Sequence, residues 1–156
     1  MGEPFQRTVT FGWHRLRVTE AGSGEPVLLI HGFADSAYTW HRNLDALIEA
    51  GFRALAYDQP GCGGSDLPEG FRFGVDDLAR VALGLLDALG IDRAHVVGSS
   101  MGGGVALYLA VHHPDRVRRV VGVAPVCYHP PFRPFAPLFR CSLFLALARR
   151  IAGPWL

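Results

Sequence analysis

The run Pro26-Val27-Leu28-Leu29-Ile30 is too short for a helix and has no polar face to turn towards water. It reads as a strand buried on both sides, which places it in a parallel sheet whose faces are covered by connecting helices. The flanking segments supply those helices. Ser36 to Ala50 sets Trp40, Leu44, Leu47 and Ile48 on one face and stops at Gly51. Val75 to Leu89 repeats the period with Leu78, Val81, Leu85, Leu86 and Leu89, opens with Asp76 and Asp77 near the positive end of the helix dipole, and stops at Gly90. Met101 to His112 is a third helix, closed by Pro114. Between them, Phe52 to Tyr57, Ala94 to Gly98 and Val117 to Val126 read as strands. Upstream, Thr8 to Ala21 alternates in part, breaks near Gly12 and closes at Gly22-Ser23-Gly24, the pattern of an antiparallel hairpin at a sheet edge. The fold class expected is α/β: a mostly parallel, twisted sheet with helices on both faces, joined by right-handed crossovers and ending after a sixth strand.

With 156 residues the chain has length for one domain. Residues 1–126 are read as its core. From Cys127 the composition changes, with Pro125, Pro130, Pro131, Pro134 and Pro137 followed by an apolar stretch, and residues 127–156 are read as the start of a lid. The longest uncharged run there, Cys141 to Ala148, falls far short of the roughly 20 residues of a membrane-spanning helix. All 15 basic residues are arginine and 14 acidic residues nearly balance them, so the net charge of +1 gives no ground for a nucleic-acid partner. Arg116, Arg118 and Arg119 read as a solvated turn before a strand. Cys62, Cys127 and Cys141 are odd in number and lack C-x-x-C spacing, which suggests neither a disulfide framework nor a metal site. The start of the sequence shows no export pattern, and Gln6 stands where a myristoylation signal needs Ser or Thr, so a cytoplasmic location is expected.

The chemistry is carried by Gly98-Ser99-Ser100-Met101-Gly102, a G-x-S-x-G sequence between an expected strand and an expected helix. A sharp strand-to-helix turn strains the serine backbone and crowds the residues two places either side, so small residues belong there. The helix start that follows offers N–H groups and a positive dipole end to a developing oxyanion. Two further glycine-bearing turns follow strands: Ile30-His31-Gly32-Phe33, and Tyr57-Asp58-Gln59-Pro60-Gly61-Cys62-Gly63-Gly64-Ser65-Asp66. A Rossmann reading fails, because the elbow does not give G-x-G-x-x-G and Gly22-Ser23-Gly24 precedes no helix.

These three segments, in this order and each at a strand end, resemble the nucleophile elbow, the His-Gly loop and the Asp-x-x-Gly-x-Gly-x-Ser loop of the α/β-hydrolase family. The resemblance covers about Thr8 to Val126. It implies Ser100 as nucleophile, the N–H groups of Phe33 and Met101 as the oxyanion hole, and His31, Gly32, Gly98 and Gly102 as supporting positions, with no cofactor and no metal. It implies a hydrolase of esters or related small carbonyl substrates, acting by acyl transfer through Ser100. The family's epoxide hydrolases and haloalkane dehalogenases, with similar surrounding motifs, use aspartate as nucleophile instead.

The family's later acid and histidine find no match. After Ser100 the acidic residue is Asp115, expected at the opposite end of the sheet. His112 and His113 lie about 18 Å down the helix, and His95 about 16 Å down the strand. His129 follows the last strand on the correct side and has no visible acid to orient it. The other class of function is therefore a noncatalytic fragment, or one half of a split or self-associating protein paired through the edge beside Val120 to Val126.

Overall fold

The computed structural model describes residues 4–126. Its elements run β1 (Phe5–Phe11), β2 (His14–Ala21), β3 (Glu25–Ile30), a 3₁₀ turn (Ala37–Trp40), α1 (His41–Glu49), β4 (Phe52–Tyr57), α2 (Val75–Ala88), β5 (Ala94–Ser99), α3 (Met101–His112) and β6 (Val117–Val123). The strands form one six-stranded sheet in the order β1-β2-β4-β3-β5-β6. β1 and β2 form the expected hairpin, β2 pairs antiparallel with β4, and β4, β3, β5 and β6 run parallel.

The unbroken apolar run of β3 is explained by its central place. Leu28 and Ile30 point to one face, where Val18, Leu55, Tyr57 and Val96 meet Leu78, Leu85 and Leu86 of α2 and Val105 and Leu109 of α3. Val27 and Leu29 point to the other, where Ala54 and Ala56 meet Trp40 and Leu44 beneath α1. Both faces are covered by helices, so every β3 residue from Val27 onwards is buried.

Two expected elements differ. The helix expected over Ser36 to Ala50 opens as a 3₁₀ turn, with the Thr39 N–H donating to Ser36 O, and the Ala37 N–H, which has no partner within the turn, donates to the Asp58 carboxylate. The last strand stops at Val123 rather than Val126. Ala124 takes φ +44°, Pro125 has no N–H to give a ladder, and the Val126 N–H turns back to the carbonyl of Ser100. Among the described residues β6 is paired on one side, and Val121 and Val123 are about half exposed. The lid expected over residues 127–156 lies outside the described residues, as do Cys127, His129 and Cys141.

Truncation of Leu85, wholly buried between α2 and the sheet, is expected to lower the unfolding free energy of Leu85→Ala by about 2–5 kcal/mol. Val111→Ala, on the open side of α3, should stay within about 0.5 kcal/mol of wild type. Urea unfolding followed by circular dichroism measures both.

Candidate active site

Ser100 stands between β5 and α3 with φ +52° and ψ −116°, outside the conformations a non-glycine residue takes without strain. Such a residue costs about 1–3 kcal/mol and persists where its surroundings over-determine it. Three backbone bonds do so here. The Ser100 N–H donates to Val123 O at 2.9 Å, and the Ser100 carbonyl accepts from Gly104 at 3.2 Å and Val126 at 2.9 Å. The end of β6 therefore holds the turn at the end of β5.

The glycines two residues either side are sterically required. A Cβ on Gly98 would overlap the carbonyl oxygen of Gly102, and one on Gly102 would overlap the carbonyls of Ile30 and His31. The start of α3 is thus pressed against the end of β3. A Cβ on Gly32 would lie 3.3 Å from Ser100 Cβ and 3.9 Å from Ser100 Oγ, so the loop after β3 reaches the serine itself. Phe33, half exposed, follows in this loop, and Ala34 at φ +55° turns it away. Met101 is the first residue of α3, partly buried against the core, and its N–H is among those a helix start leaves without an intrahelical partner.

His31 is wholly buried. Its Nε2 accepts the Gln59 N–H at 2.9 Å, which puts the ring proton on Nδ1, where it donates to Gly32 O at 2.7 Å. The Gln59 side chain closes the arrangement, its Nε2 donating to His31 O at 2.7 Å. Burial holds the His31 pKa below its ordinary value against the opposing pull of the Gly32 bond. With both nitrogens engaged, His31 shapes a loop and is not placed to take a proton from Ser100.

The loop after β4 is tied in the same way. The buried Asp58 carboxylate accepts from the Ala37 N–H at 2.7 Å and the Gly64 N–H at 2.8 Å. Ser65 Oγ donates to Asp58 O at 2.6 Å and accepts the Arg17 N–H at 2.9 Å. The roles of Gln59, Val123 and Val126 were not read from the sequence: backbone bonds between distant strands leave no mark on residue type. Gln59 did carry one weak signal, a polar side chain two residues past a buried strand.

The structure brings together Ser100, Met101, Gly98, Gly102, Gly32, Phe33 and His31 at the ends of β3 and β5. It leaves His112 at the far end of α3 and His95 at the far end of β5. Among the described residues no three His, Cys, Asp or Glu side chains gather as a metal site would require, and no helix is long and apolar enough to cross a membrane.

The sequence profile described as the alpha/beta hydrolase fold matches residues 25–148. This chain belongs to the α/β hydrolase fold family. Epoxide hydrolase A of Mycobacterium tuberculosis is 38% identical to it over 154 residues, which cover 94% of this chain and 48% of that protein. A 2-hydroxy-6-oxo-6-phenylhexa-2,4-dienoate hydrolase of Comamonas testosteroni is 40% identical over 118 residues, covering 70% of this chain and 40% of the relative. The crystal structure of epoxide hydrolase A from Mycobacterium thermoresistibile superposes with a TM-score of 0.76 at 36% identity, over 87% of this chain and 45% of that one. This α/β hydrolase chain therefore spans about half the length of the relatives it matches.

Gly102→Ala, which drives a methyl group into the carbonyls at the end of β3, is expected to cost about 3 kcal/mol or to yield insoluble protein. Yield and the urea midpoint report it. A second expectation concerns pH. A folded-state His31 pKa below 6.5 means that the unfolded chain binds the proton first, so the stability from neutral His31 is whole above pH 6.5 and is lost as the pH falls. The slope approaches about 1.4 kcal/mol per pH unit. The melting temperature of the wild type should fall more steeply than that of His31→Gln between pH 6.5 and 4.5, and parallel curves would contradict the assignment.

Proposed function

We propose that this chain supplies the nucleophile and the oxyanion hole of a serine hydrolase that cleaves esters or related small carbonyl compounds by acyl transfer. The observation that carries the reading is the strained Ser100 at the start of α3, with the loop of Gly32 and Phe33 against it. In the reaction, Ser100 Oγ adds to the carbonyl carbon and its proton passes to a base. The oxyanion is received by the N–H groups of Phe33 and Met101, with the positive end of α3 behind them. The leaving group departs with a proton, and water hydrolyses the Ser100 ester.

The residue at the elbow favours carbonyl substrates over epoxides, although relatives of both names are similar to the chain. An alkoxide that opens an epoxide forms an ether, which water does not cleave; one that adds to a carbonyl forms an ester, which water does. The 6-oxo group in the names of the dienoate hydrolases is a carbonyl of the kind Ser100 would attack, and those relatives guide the substrate class. None of His31, His95 and His112 is placed to be that base. His31 is fully engaged, and the spans of β5 and α3 put His95 and His112 roughly 16 and 18 Å away. That same separation favours a second reading, a noncatalytic scaffold that keeps the elbow without turnover.

One experiment separates the two. A fluorophosphonate probe is expected to label the full chain at Ser100 and to leave Ser100→Ala unlabelled, with p-nitrophenyl acetate hydrolysis falling by about 10³-fold or more in that variant. Styrene oxide should not be turned over. A folded wild-type chain that takes up no probe would sink the catalytic reading.

A further inference from the structure

We propose that Gln59 is a positioning residue that sets the direction of the Phe33 N–H; the inference rests on the reading of Phe33 as an oxyanion donor to Ser100. The reasoning follows the peptide geometry outward from Gln59. In a trans peptide the C=O and the N–H of the next residue point in opposite directions. The Phe33 N–H therefore points away from Gly32 O, and Gly32 O is held by the His31 ring at 2.7 Å. The ring makes that bond as a donor because its other nitrogen accepts the Gln59 N–H at 2.9 Å. The preceding peptide is fixed by the Gln59 side chain, whose amide nitrogen donates to His31 O at 2.7 Å. Two successive peptide planes, 31–32 and 32–33, are thus oriented from one residue of the loop after β4.

His31 is wholly buried and Gln59 is 1% exposed, so no bulk water can replace these bonds. The amide orientation of Gln59 is also settled, since the reverse would set its oxygen against His31 O. In the orientation present, Gln59 Oε1 is buried without a partner among the described residues. An unmet buried acceptor costs stability that an apolar residue of the same size would not. The useful end of the side chain is its donor, and what the donor touches is the loop that carries Phe33.

Gln59→Glu keeps the shape and replaces the donor with an acceptor; Gln59→Leu removes it. Val81→Ala, in the core on α2 and away from the elbow, controls for general loosening. Fluorophosphonate inactivation of the full chain is measured over a range of probe concentrations, with the Phe33 backbone amide followed by ¹⁵N–¹H spectroscopy. Both Gln59 variants are expected to lower the maximal inactivation rate about tenfold or more with half-saturation within twofold, and to move the Phe33 cross-peak, while Val81→Ala does neither. Unchanged rates, an unmoved Phe33 cross-peak, or an equal loss in Val81→Ala would overturn the proposal. If the wild type takes no probe, the reading of Ser100 fails on its own, and the cross-peak alone decides on Gln59: movement in both variants supports the positioning role, and its absence removes it.

Discussion

The backbone of Ser100 is the point on which the arrangement turns. A left-handed φ at a serine is unfavourable in an isolated chain, and it exists here because the end of β6 and the turn after it grip the residue from both sides, Val123 taking its N–H and Val126 giving one to its carbonyl. The same constraint dictates the close contact of α3 with β3, where Gly102 leaves no space for a side chain. Three parallel strands therefore meet at one residue. β5 delivers the serine, β6 holds its backbone, and β3 sends the loop that lies against its side chain.

A second set of bonds secures that loop from the other side. Asp58, His31, Gln59 and Ser65 are buried polar groups, and each would be costly without partners. Asp58 joins the 3₁₀ turn at Ala37 to its own loop at Gly64, Ser65 joins that loop to β2, and Gln59 joins it to His31. A typical bond of this kind contributes about 1 kcal/mol net, but a partner left alone inside costs about 1–3 kcal/mol. The loops after β3 and β4 consequently hold one geometry together.

The relatives show how far a scaffold can be shared while the chemistry differs. Proteins named for epoxides and proteins named for 6-oxo dienoates both align with this chain at similar identity. What they share with it is the α/β hydrolase fold. A shared fold does not fix which bond is broken; that is decided by the groups of the site built on it.

Most of the fold was legible in the sequence because burial leaves a compositional trace. The unbroken apolar run of β3, the four-residue spacing in α2 and the glycines closing α1 and α2 each reflect a local requirement that amino-acid type must meet. Ser100, Gly98 and Gly102 were legible for the same reason: a tight bend excludes most side chains. The end of β6, the 3₁₀ opening before α1 and the part played by Gln59 were not. The backbone N–H groups of Val126, Ala37 and Gln59, which every residue except proline has, find their partners many positions away. Residue types thus determined which segments pair and where the serine bends, whereas the folded chain alone decided which amides and carbonyls hold that bend, because hydrogen bonds between main chains do not depend on side-chain identity.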